Sequence, residues 1–65
     1  MLFSQSLRFN LDPFNEFSDD TIQEVALATQ LDSIGTLDKE ISEGGENISV
    51  GERQLVALAR VLLRK

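Results

Sequence analysis

The residues with chemistry to offer lie in one string, Gly44-Gly45-Glu46-Asn47-Ile48-Ser49-Val50-Gly51-Glu52-Arg53-Gln54, which joins a glycine-rich loop to an amphipathic stretch. Ser49 has the residue type of a helix N-cap. Glu52, three positions on, completes a capping box. Gly51 then falls in the first turn, where glycine is less favourable than alanine by about 1 kcal/mol. Its use there points to something that approaches the backbone closely. A helix N-terminus presents free N–H groups and positive partial charge. A serine hydroxyl and a glycine that clears space make such an end able to hydrogen-bond a phosphate. A plain structural capping box uses the same residues, so by residue type alone both readings stand.

Other chemistries are excluded by composition. The 65 residues contain no cysteine and no histidine. Thiolate zinc sites, thiol chemistry and any triad built on a histidine base are therefore absent. The lack of cysteine fits a reducing cytosolic setting. A chain this short makes at most one small domain, with a modest core and none of the usual staples.

The string must be held by elements whose signals are also legible. Residues 49–65 read as a helix, with Leu55, Leu58, Ala59 and Leu62 as its apolar stripe and Arg53, Arg60 and Arg64 together on another face. Arg60, Arg64 and Lys65 suit the negative C-terminal end. A second helix is expected over roughly 19–30. Any of Ser18, Asp19 and Asp20 can be its N-cap, and Asp20 with Gln23 resembles a capping box. Ile22, Val25 and Ala26 begin its apolar face, broadened by Leu27, Ala28 and Leu31. Residues 33–37 read as a short turn and 38–48 as a polar loop freed by Gly44 and Gly45. At the N-terminus a short helical turn is expected near 5–10. Asp12-Pro13 ends it, because proline pushes its predecessor into extended backbone. Phe3, Phe9, Phe14 and Phe17 crowd this region, either as local core or as a docking patch.

Charge is segregated along the chain. Residues 1–52 carry eleven acids against two bases, Arg8 and Lys39, a net of −9; the remaining four bases lie in 53–65. An acidic body argues against non-specific nucleic-acid binding. No apolar run has the length to cross a bilayer, and Met1 is followed by no basic region or long apolar stretch of a signal peptide.

Ile48-Ser49-Val50-Gly51-Glu52 resembles the signature motif of ATP-binding cassette (ABC) transporters, usually Leu-Ser-Gly-Gly-Gln. Residues Arg53 to Leu63 are similar to the helix that follows it in that family. Leu2-Phe3-Ser4, the block from Leu7 to Phe14, and Glu43-Gly44-Gly45-Glu46-Asn47 are similar to the second nucleotide-binding domain of C-subfamily, multidrug-resistance-associated transporters. The blocks occur in family order and cover nearly the whole chain.

The resemblance implies a mechanism. Two nucleotide-binding domains sandwich ATP head to tail, and the signature of one closes on ATP held by the Walker A loop of the other. Ser49, Val50, Gly51, Glu52 and Arg53 would form the nucleotide-binding set, with Ser49 and the Gly51 N–H on the γ-phosphate. Val50 stands where glycine is usual, so its side chain must point away from the nucleotide. Glu52 stands where glutamine is usual; a carboxylate about 4 Å from a phosphate costs roughly 1–4 kcal/mol, which Arg53 can offset. No Walker A sequence and no Walker B strand occur here, so magnesium and most ATP contacts would belong to absent motifs. The Q-loop glutamine would precede Met1, Walker B would follow Lys65, and residues 33–37 are shorter than usual.

The expectation is therefore a mainly α fold over 1–65: a small helical subdomain with a C-terminal signature helix and an irregular N-terminal segment. It would be the part of an ATP-driven exporter that contacts ATP in trans, catalytically incomplete by itself. Its partners would be a second nucleotide-binding domain and the transmembrane domains, at the cytosolic face of a membrane. The alternative from another class is a free-standing acidic helical interaction module that docks through its phenylalanines.

Overall fold

The computed structural model describes residues 4–64. The readings made on Leu2, Phe3 and Lys65 lie outside them. The mainly α expectation holds. Among the described residues three helices, α1 (Leu7–Leu11), α2 (Asp19–Ala28) and α3 (Val50–Leu63), close around one core, beside a two-residue antiparallel pair of β1 (Gln5–Ser6) and β2 (Glu40–Ile41).

Each helix starts where a serine can cap it. Ser6 accepts the N–H of Phe9, Ser18 that of Thr21 and Ser49 that of Glu52. Among the three candidates for the start of α2, Ser18 is the cap. Asp20 lies inside the helix, so the box expected between Asp20 and Gln23 does not form. Asp19 and Asp20 instead favour the positive end of the helix. The helix also stops earlier than expected, at Ala28. Thr29 turns its hydroxyl back to the Val25 carbonyl at 2.8 Å, and Gln30 takes left-handed backbone at φ 62°.

The N-terminal region is more ordered than a lone helical turn. Gln5 and Ser6 pair with Ile41 and Glu40, which sequence reasoning left inside a polar loop. Beyond the pair, Leu7 N donates to Lys39 O at 2.8 Å and Arg8 N to Leu37 O at 2.9 Å. The short connection over 31–37 packs rather than hangs free: Leu31 is fully buried, and Ile34 and Leu37 rest against the core.

The core draws Leu7 and Leu11 from α1, Ile22 and Ala26 from α2, and Val56, Ala59 and Leu63 from α3. Leu31, Ile41 and Ile48 close it from the connections. Each buried leucine, isoleucine or valine stabilises by about 1.5–3 kcal/mol. The inward stripe of α3 is thus not the expected one. Ala59 is common to both, Leu55 is half-buried, and Leu58 and Leu62 face outward with Val61. The helix is apolar around most of its girth, so period alone did not select the face that meets α1 and α2.

The phenylalanines divide. Phe17 packs against the core, whereas Phe9 and Phe14 are exposed, Phe14 at 77%. The loop that carries Phe14 and Phe17 is built on Asp12, whose buried carboxylate accepts the Glu16 N–H at 2.8 Å and the Phe17 N–H at 2.9 Å. Arg8 fastens it outside, with Nε donating to Asp19 Oδ1 at 2.7 Å.

Candidate functional site

The start of α3 is presented by a folded loop. Ser42, Gly44, Gly45 and Asn47 shape the chain between β2 and Ser49. Gly44 and Gly45 have φ of 72° and 74°, a left-handed region that costs residues with a Cβ but not glycine. Gly45 N donates to Ser42 O at 2.8 Å and Ile48 N to Gly45 O at 3.2 Å. Ile48 is buried and anchors the chain one residue before the cap.

Ser49 and Glu52 form the capping box that their spacing predicts. Ser49 N donates to Glu52 Oε1 at 2.9 Å, and Glu52 N donates to Ser49 Oγ at 3.0 Å. The first bond of helical spacing runs from Arg53 N to Ser49 O at 3.0 Å. Val50 and Gly51 N–H precede it and have no carbonyl one turn behind them. The cap uses Ser49 Oγ as an acceptor. A hydroxyl also carries a proton, so this oxygen can cap the helix and donate outward at once.

The five residues singled out from sequence are close in space but not equivalent. Ser49, Val50 and Gly51 are exposed. Val50 is 61% exposed, its side chain standing clear of the chain's own core. Gly51 has ordinary helical placement, and a Cβ added there would meet only Ser49 Oγ, at 3.9 Å. Nothing within the described residues requires glycine at this position. Glu52 is engaged by the Ser49 backbone. Arg53 turns back to the loop, with Nη1 donating to Gly44 O at 3.3 Å.

Asn47 stands in the string read from sequence, but residue type and spacing assign it no role there. Its Oδ1 accepts Ser42 N at 2.9 Å and Ser42 Oγ at 3.1 Å, and its Nδ2 donates to Glu40 O at 2.9 Å. Its backbone N donates to Ser42 Oγ at 2.9 Å. The signal was an asparagine beside a glycine pair, a residue type that often bonds its own loop backbone.

Electrostatically the site is neutral in its donors and acidic in its surroundings. Glu43, Glu46 and Glu52 flank it, against Arg53. Among the described residues, no cluster of acids is placed to hold a metal ion, and no helix is long and apolar enough to cross a membrane.

No family model matches the chain. Individual relatives match it from end to end. It is 49% identical to human ATP-binding cassette sub-family C member 4 and 50% identical to rat ATP-binding cassette sub-family C member 3, in each case over all of this chain and 5% of the relative. It is 49% identical, with the same coverage, to the fruit-fly protein described as probable multidrug resistance-associated protein lethal(2)03659 (Drosophila melanogaster). Identity near one half along the whole chain places it among the ATP-binding cassette proteins. Within that class the chain belongs to subfamily C, the multidrug-resistance-associated type, and corresponds to a short segment of such proteins. The chain spans about 5% of the length of these relatives. The alignments run to 70 positions against 65 residues, so these relatives carry residues that this chain lacks.

Proposed function

We propose that this chain is the signature-bearing helical part of an ATP-driven membrane exporter, and that the start of α3 closes on ATP held by an opposing nucleotide-binding domain. The observation that carries this reading is Gly51. An exposed first-turn glycine weakens its helix by about 1 kcal/mol relative to alanine, and among the described residues no packed neighbour needs the space it leaves. An external group that comes within hydrogen-bond reach of the backbone does need it.

In this reading the Ser49 hydroxyl keeps its cap and donates its proton to a γ-phosphate oxygen. The Gly51 N–H is a second donor, aided by the helix dipole. Val50 points aside. Glu52 and Arg53 act on the frame of the site, through the Ser49 backbone and the Gly44 carbonyl. This chain then supplies neutral donors only. A Walker A lysine and a magnesium ion of the opposing domain supply the positive charge that the triphosphate requires. Hydrolysis belongs to that assembly and not to this chain. The outward apolar residues of α3 and the exposed Phe14 are surfaces for the neighbouring parts of the transporter, including its transmembrane domains, at the cytosolic face of the membrane.

The test is Ser49→Arg in the intact transporter that carries this segment. ATP-driven export is lost, while ATP still binds the opposing phosphate loop. Export at the unsubstituted rate would overturn the assignment.

A further inference from the structure

The loop ahead of the site is closed by one side chain, and that closure is not needed to make a helix. The capping box already satisfies the start of α3, and the core already holds Ile48. Asn47 itself is exposed and buries little. Yet its amide joins three points of the loop, namely Glu40 O, Ser42 N and Ser42 Oγ, across two consecutive glycines in left-handed backbone. Without these bonds residues 42–47 gain the freedom of a glycine-rich segment, and the approach to Ser49 is held only by buried Ile48 and the two backbone bonds of the turn.

We propose that Asn47 is a positioning residue, which fixes the approach of the chain to Ser49 and so aims the Ser49 hydroxyl and the Gly51 N–H at the nucleotide. This rests on the trans-nucleotide reading above. Asn47 touches no phosphate in this arrangement. It acts by coupling β2 to the N-cap, with Ser42 as its counterpart. Ser42 Oγ both donates to Asn47 Oδ1 and accepts Asn47 N, so the two residues form a closed clasp. Arg53 holds the outer side of the same loop through Gly44 O.

The experiment compares Asn47→Ala, Ser42→Ala, their double variant and Ser49→Asp in the intact transporter, reading kcat and KM for ATP turnover together with ATP affinity at the opposing phosphate loop. Misplacement of about 1 Å is enough for a large rate loss, so Asn47→Ala is expected to lower kcat roughly 10- to 100-fold with ATP affinity unchanged. Ser42→Ala, which spares the bonds to Ser42 N and Glu40 O, lowers it less. The double variant falls below Asn47→Ala by less than the Ser42→Ala loss, because beyond Asn47→Ala it removes only the bond from the residue-47 N–H to Ser42 Oγ. If Ser49→Asp impairs turnover but Asn47→Ala does not, the positioning role is overturned and the reading of the site survives. If Asn47→Ala lowers turnover and ATP affinity together, its role is in folding and the proposal also fails. Unimpaired turnover in Ser49→Asp overturns the reading of the site, and this inference with it.

Discussion

Ser49 and Glu52 hold one another by two reciprocal backbone bonds, with the Ser49 N–H on the Glu52 carboxylate and the Glu52 N–H on the Ser49 hydroxyl. The glutamate is therefore committed to the frame of the helix. Its carboxylate lies on the Ser49 backbone, and the charge it brings acts on any bound phosphate through space.

Glu52→Gln separates the frame from the charge. A glutamine oxygen can accept the same Ser49 N–H, so the box persists and thermal stability shifts by less than about 1 kcal/mol. With the charge gone, the intact transporter reaches half-maximal ATP turnover at lower ATP. Glu52→Ala removes the acceptor and costs about 1 kcal/mol. Melting curves and ATP titrations of the two variants check both statements, and an unchanged ATP requirement in Glu52→Gln would place the carboxylate far from any phosphate.

Gly51→Ala moves stability and activity in opposite directions. The new methyl meets nothing closer than Ser49 Oγ at 3.9 Å. Helix propensity then raises the stability of the segment by up to about 1 kcal/mol. The same methyl stands in the path of the approaching nucleotide, so ATP turnover falls. A stabilised variant with full turnover would show that the glycine has no external partner.

Ser49→Asp tests which property of the serine matters. Aspartate is as good an N-cap, so the helix keeps its start within a few tenths of a kcal/mol. It has no proton to give and adds a charge that repels phosphate. Turnover is expected to collapse in a protein that melts normally. Ser49→Ala, by contrast, lowers stability by about 1 kcal/mol as well.

The 65-residue chain alone should show no ATP binding by calorimetry at millimolar nucleotide, a concentration that detects interactions as weak as about −4 kcal/mol. Its site offers neutral donors flanked by Glu43, Glu46 and Glu52. Stoichiometric binding would contradict the proposal that cations of an opposing domain are required.

Packing predictions divide the apolar residues. Leu31→Ala, at a fully buried position, costs about 2–5 kcal/mol. Phe14→Ser, at 77% exposure, changes stability by no more than about 0.5 kcal/mol. Chemical denaturation of the two variants distinguishes core from surface. A Phe14→Ser loss comparable to that of Leu31→Ala would contradict the placement of this ring.

What the residues disclosed, and what they hid, follows from the range over which each signal acts. Capping is local, so Ser49 with Glu52 was legible as a box, and Ser18 was among the candidates for the start of α2. The pairing of Gln5–Ser6 with Glu40–Ile41 was not legible, because two residues per strand are too few to alternate and the partners lie far apart in sequence. The inward face of α3 was misread because Val56, Leu58, Leu62 and Leu63 are all apolar, and only contact with α1 and α2 distinguishes them. The role of Asn47 was not legible, since its bonds require the loop to be folded first.

The bonds from Leu7 N and Arg8 N to Lys39 O and Leu37 O have a consequence in time. A ribosome releases residues in order, so the segment around Leu7 emerges some thirty residues before the carbonyls that complete it. Val56, Ala59 and Leu63, which share its core on α3, come later still. Within these residues the core is thus closed from its far end, and the cluster that Leu7 and Leu11 share is complete only once α3 has left the exit tunnel.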